Sequence, residues 1–225
     1  TLLIVLFIAM VVVSQFMLTF GSDPNAKVTK KSKSPLSFHP IALIFGLLSF
    51  VSYLVEGAVG DWSALYLFED KGILIEEAVM GVMLFNGTMC IGRLLGNRLG
   101  KHLTSKQVVV GGYLLGSIAM GLIVFLPGHA SMYTYLLLGI SLAMIVPNLF
   151  SAMGEQNVIP MTQAVATSTM LGYMGILMGP ALIGFIAHGT SLTVAFIVLT
   201  TLLVVSAGGD CHIRRLCIRI VTGLV

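Results

Sequence analysis

The chain has 225 residues, 57% hydrophobic and 9% charged, with a mean hydropathy of +1.02. A water-soluble domain carries about 25% charged residues, so there is too little polar surface here to cover a water-exposed globule. A cytosolic enzyme, a nucleic-acid module, a disordered chain and a secreted disulfide scaffold with only three cysteines are excluded, and an integral membrane protein remains.

Seven apolar runs are long enough to cross a bilayer, which takes about 20 residues per helix. They are Thr1–Phe20, about Pro40–Leu67, Ala78 to about Ile91 or Leu95, Val108–Leu126, Met132–Met153, Ala164–Ala187 and Leu192–Ala207. Segments of turn formers separate them. The runs are apolar all round and about twice the length of an alternating barrel strand, so they read as helices. The expected fold is an all-α polytopic bundle of seven spans. Thr1 already lies inside an apolar run with no charged segment before it, so the chain reads as a piece of a longer one rather than as starting with a signal peptide.

Charge orients the bundle. With seven spans, eleven of the twelve basic residues fall on one side: Lys27, Lys30, Lys31 and Lys33 in the linker 21–39, Arg93, Arg98, Lys101 and Lys106 in a loop 93–107, and Arg214, Arg215 and Arg219 in a tail 209–225. Lys71, among Glu69, Asp70, Glu76 and Glu77, is alone on the other side. Positive loops stay cytoplasmic, so the linker and tail are expected in the cytoplasm. The linker holds Pro24, Pro35, serines and lysines. Such a composition cannot order itself by burial; it reads as a joint between span one and the six-helix unit 40–208.

The polar groups inside the spans are the candidate site. An acid within a span is costly and is a functional hypothesis in itself. Glu56 lies ~25 Å along its helix from His39 at 1.5 Å per residue, which is expected to bring it near the outer end of the hydrocarbon. Asp61 is placed at the interface, with Trp62 and Tyr66 in an aromatic belt. Tyr53, Asn86, Asn148, Ser151 and Tyr173 are the other intramembrane polar groups. Polar side chains on several helices at similar depth suggest one shared aqueous cavity, lined by Tyr53, Glu56, Asn86, Asn148 and Tyr173. The amides could instead bridge helices. Glycines at four-residue spacing (Gly92, Gly96, Gly100; Gly112, Gly116; Gly175, Gly179) permit close helix approach, and Gly179-Pro180 is expected to weaken its helix locally. No His/Cys/Asp/Glu cluster has metal-ligand spacing and no catalytic motif occurs, so neither an enzyme nor a cofactor is expected.

Several segments now converge on a family. The stretch IGRLLGNRLGKHLTSKQVVVGGYLL joins two spans by a short basic turn. It resembles the signature loop of the major facilitator superfamily in its second-half copy, with Asn97-Arg98-Leu99-Gly100-Lys101 matching Asp-Arg-x-Gly-Arg/Lys except that Asn97 replaces the acid. VEGAVGDWSALYL resembles helix seven of bacterial facilitators of the fucose-permease-like group, IVPNLFSAMGEQ the end of helix ten, and STMLGYMGILMGPALIGFIAH helix eleven.

The resemblance implies that Thr1–Phe20 is helix six and that the later spans are helices seven to twelve, the C-terminal half of a transporter whose N-terminal half is its missing partner. It implies a bacterial inner-membrane protein that moves a small solute by alternating access. A sugar or related polar metabolite is the solute the group suggests, and a proton gradient the driver. Arg93, Asn97, Arg98, Gly100 and Lys101 would form the cytoplasmic gate, and the two three-helix sets would be inverted repeats. The alternatives are drug efflux and a membrane scaffold or sensor that transports nothing.

Overall fold

The computed structural model of the protein describes the backbone of residues 39–99 and 103–222 and the side chains of 39–96 and 103–208. The expected first span Thr1–Phe20 and the linker 21–38 lie outside these residues, as do Gly100 and Lys101.

The described residues form six helices and no strand: α1 Pro40–Glu69, α2 Ile75–Leu99, α3 Ser105–Phe125, α4 Gly128–Glu155, α5 Met161–Gly189 and α6 Leu192–Thr222. Five are long and apolar enough to cross a membrane, and α6 carries a shorter apolar stretch, Leu192–Gly208. Starts and stops are local. His39 caps α1, its Nδ1 accepting the Ile41 N–H at 3.3 Å, and Pro40 occupies the first turn, where a missing N–H costs nothing. Gln107 Oε1 accepts the Thr104 N–H at 3.0 Å at the head of α3. The α1–α2 turn is made at Gly72, with φ +68°, a conformation that favours glycine. Between α4 and α5, Gln156 ties the loop together. Its Nε2 donates to Ile159 O at 2.7 Å, and its Oε1 accepts the Val158 and Ile159 N–H groups at 2.9 and 3.0 Å.

The helices run alternately up and down, and cross-bonds register their ends. At one end Lys71 Nζ donates to Val124 O and Leu126 O at 2.6 and 2.9 Å, Thr193 Oγ1 donates to Asp70 at 2.8 Å, and His129 Nε2 meets Glu77 at 2.8 Å. At the other end Ser105 Oγ donates to Glu155 at 2.7 Å, joining the start of α3 to the end of α4.

The first helix of each three-helix set packs on the second of the other: α1 on α5, and α2 on α4. Small residues make both crossings close. Added Cβ atoms at Gly172, Gly175 and Gly179 would strike Tyr53, Phe50 O and Leu54 O respectively; at Gly139, Thr88 and Phe85 O; at Gly92, the Ala143 methyl. With no hydrophobic effect between helices in lipid, this close packing and interhelical hydrogen bonds hold the bundle. The buried bonds include Ser49 Oγ to Ser168 Oγ at 2.6 Å. Tyr113 Oη lies 2.8 Å from Ser52 Oγ and donates to Leu48 O at 2.7 Å.

Several expectations are corrected here. Helix α2 runs to Leu99, so Arg93 lies inside a helix and not in a loop 93–107; a charge is tolerated there because it is paired, as described below. Neither internal proline breaks its helix: α4 continues through Pro147 and α5 through Pro180. Pro180 cannot donate to Ile176 O, and Gly57 of α1 lies against that carbonyl, where a Cβ would come within 2.8 Å. Trp62 and Tyr66 are not an interfacial belt. Tyr66 is fully buried and stacks on Phe196 at 4.2 Å. The Trp62 indole donates to Pro180 O at 2.9 Å. The Trp62 tip is satisfied by that carbonyl, whereas the Tyr66 hydroxyl is buried without a hydrogen-bond partner among the described residues and the ring is held by stacking. Beyond Ala207 the backbone of α6 stays helical to Thr222.

Candidate functional site

The candidate site is built on α1, α2 and α5. Glu56 is 16 residues from Pro40 and 13 from Glu69, ~24 and ~20 Å at 1.5 Å per residue. It therefore stands near the middle of its helix. Tyr53 is one turn away on the same face. Tyr173 is 12 residues from Met161 and 16 from Gly189, again near mid-helix.

Arg93 of α2 joins them. Its Nη2 lies 3.2 and 3.1 Å from the two Glu56 carboxylate oxygens. The side chains are 47% and 21% exposed respectively, so the arginine is the more open partner. This contact ties α1 to α2 and neutralises an acid at mid-helix; an unpaired one would be far costlier to hold away from water. The Tyr53 and Tyr173 rings lie beside the pair, nearly parallel at 9° with centroids 6.1 Å apart. Tyr53 interacts electrostatically with Glu56, Arg93 and Tyr173 together. Gly172 makes this possible: a Cβ there would come within 2.7 Å of the Tyr53 ring. Tyr173 is 60% exposed, so the aromatic pair borders an open face.

The two asparagines do not join this cluster. Asn86 is exposed and its Nδ2 donates to Val82 O at 3.0 Å; Asn148 Nδ2 donates to Met144 O at 2.8 Å. Each is bonded within its own helix rather than across to a neighbour. Asn86 is near the middle of α2, but Asn148 is seven residues from Glu155, ~10 Å from the helix end, so the five lining candidates are not all at one depth. Ser151 likewise bonds back to Pro147 O, at 3.2 Å. Of the gate candidates, Asn97 and Arg98 belong to the last turn of α2 with side chains outside the described residues. Arg93 is engaged by Glu56. Sequence reasoning listed Glu56 and Arg93 in separate roles; 37 residues apart, they carry no linear signal of contact. No group of three or more metal-ligating side chains occurs among the described residues.

No family model matches the chain. It is 40% identical over 176 residues to an MFS-type (major facilitator) transporter of Yersinia pestis, a match covering 77% of this chain and 45% of that protein. It is 31% identical to the membrane protein MosC of Rhizobium meliloti, covering 67% of this chain and 37% of that protein. Among solved structures, a mutant of the peptide transporter POT in complex with alafosfalin superposes with a TM-score of 0.66. That match covers 77% of this chain and 38% of the transporter at 14% identity, so it speaks for the fold alone.

The chain belongs to the major facilitator superfamily. It is a multi-pass membrane protein whose relatives include transporters. As a facilitator chain it spans less than half the length of these relatives. The six described helices are a facilitator fragment, and the Glu56–Arg93 pair is a charged contact between two of them.

Proposed function

We propose that the chain is the C-terminal part of a secondary active transporter, helices six to twelve, that moves a small polar solute across the bacterial inner membrane by alternating access. The N-terminal half supplies the opposing wall of the cavity. The observation that carries this reading is the Glu56–Arg93 pair at the middle of α1, bordered by the Tyr53–Tyr173 pair on an open face. A facilitator-like fragment with a charged, partly exposed cluster between apolar helices has the ingredients of a solute pathway.

Glu56 is the proton-carrying group of this half. It alternates between the carboxylate paired with Arg93 and the protonated acid, which releases the guanidinium. Asn86 adds a polar side chain near the same depth, and Asn148 lies toward the cytoplasmic mouth. The basic residues Arg98 and Lys101, with Asn97 and Gly100 in the connecting turn, hold the cytoplasmic gate. The linker 21–39 and the segment 209–225 face the cytoplasm, as their lysines and arginines favour.

The test is flux in proteoliposomes holding the intact transporter, under an imposed proton gradient. Solute accumulation that collapses with the gradient, and that Glu56→Gln abolishes, is the expected result. Full gradient-driven uptake by Glu56→Gln would remove the proton role. No flux of any solute class would favour a scaffold or sensor instead.

A further inference from the structure

Building on the transport reading, we propose that the solute carries a carboxylate and that it binds the unused edge of the Arg93 guanidinium. Glu56 takes both of its bonds from one nitrogen, Nη2, at 3.1 and 3.2 Å. A guanidinium has five N–H donors in a rigid fork, and among the described residues the Nε and Nη1 donors of Arg93 bond to no protein atom. Two parallel N–H donors match a planar carboxylate, and such bidentate pairs are the strong charge-assisted kind. Glu56 thus anchors Arg93 without consuming its recognition edge.

Exposure points the same way. Arg93 is more than twice as exposed as Glu56, 47% against 21%, so the guanidinium is the more accessible partner of the pair among the described residues. The nearly parallel Tyr53 and Tyr173 rings lie alongside, the latter largely exposed. They offer an apolar wall for the body of the solute and phenol hydroxyls for its polar edge. A cationic solute would face Arg93 first and be repelled. A neutral polyol would leave the strongest donors of the site without a charged acceptor.

The charge count adds a consequence. Around the Glu56 carboxylate, Arg93 faces it from α2, and the titratable phenols of Tyr53 on α1 and Tyr173 on α5 lie beside it. With a solute carboxylate in place, two anions share one cation. Like charges that share a site cannot both stay ionised at low cost. One proton therefore enters with the solute and returns to water when the solute leaves.

The experiment is thermal stabilisation of the intact transporter in nanodiscs by acetate, lactate and benzoate, each compared with its neutral amide. At least one carboxylate raises Tm while its amide does not, with an apparent affinity that strengthens as pH falls. Arg93→Gln abolishes the shift. Because that change strands Glu56, the charge-balanced double variant Glu56→Gln/Arg93→Gln is measured beside it and also shows no shift. Equal shifts from acid and amide, no shift from any of the three carboxylates, or a shift retained in the double variant would overturn the proposal. Proteoliposome flux separates it from the transport reading. Carboxylate binding without flux retires transport and keeps the Arg93 site, whereas flux of an uncharged solute with no carboxylate shift retires the site alone.

Discussion

The indole nitrogen of Trp62 donates to the carbonyl oxygen of Pro180 at 2.9 Å. The ring also fills the space left open at Gly184, where an added Cβ would come within 2.8 Å of it. An aromatic near a helix end thus works as a clamp between α1 and α5. Trp62→Phe keeps most of the packing and removes the bond. A cost of about 1 kcal/mol is expected, the usual net value of one hydrogen bond, read as a lower Tm in nanodiscs. An unchanged Tm would show that the clamp is packing alone.

The α1–α5 crossing makes a sharper prediction. A Cβ at Gly175 would run into the Phe50 carbonyl, a backbone atom that cannot swing aside, whereas Gly60 on α1 has nothing within 4 Å. Gly175→Ala is expected to destabilise by about 1–3 kcal/mol, as overpacking does. Gly60→Ala should be neutral or stabilising by up to about 1 kcal/mol through helix propensity. Equal effects in thermal unfolding would mean that the crossing is not tight.

The Glu56–Arg93 pair predicts non-additivity. Removing either partner leaves the other uncompensated, and removing both does not. Arg93→Met and Glu56→Gln are each expected to lower Tm, and the double variant is expected to lose less than the sum of the two single losses. The coupling is of order 1 kcal/mol, since the pair is partly exposed. A double variant whose loss equals the sum of the singles would show that the two groups do not interact.

Lys71 sets a pH dependence at the opposite end of the bundle from Ser105 and Glu155. Burial holds its ammonium below the ordinary 10.5, against the opposing pull of Asp70. The cation nevertheless donates to Val124 O and Leu126 O and sits 5.4 Å from the centre of the Tyr66 ring. The sign follows from linkage. With the folded pKa depressed, the unfolded chain binds the proton more tightly, so this group's contribution rises with pH between its folded value and 10.5 and is lost as pH falls through the folded value. The Tm difference between the protein and Lys71→Met should therefore move in favour of the lysine as pH climbs through that window. A pH-independent difference would refute it.

Much of this protein was legible in one dimension. Long uncharged runs in a chain with so few charged residues have no stable alternative to membrane helices, since lipid leaves every backbone polar group to be satisfied within the segment. That reasoning finds all six described helices, though it ends α2 too early, at a charge it takes for a loop. It also finds Glu56, because a carboxylate inside an apolar run is conspicuous whatever surrounds it. The glycine spacing likewise foretells close crossings before any neighbour is known.

Tertiary structure decided which groups meet. The pairing of Glu56 with Arg93, the parallel setting of Tyr53 against Tyr173 and the inward turn of Trp62 and Tyr66 each join different helices. Such contacts depend on helix rotation and crossing angle, and hydropathy cannot see either in a span that is apolar all round. The two asparagines show the same limit from the other side. Both look like groups in need of a distant partner, and each finds one four residues back on its own helix.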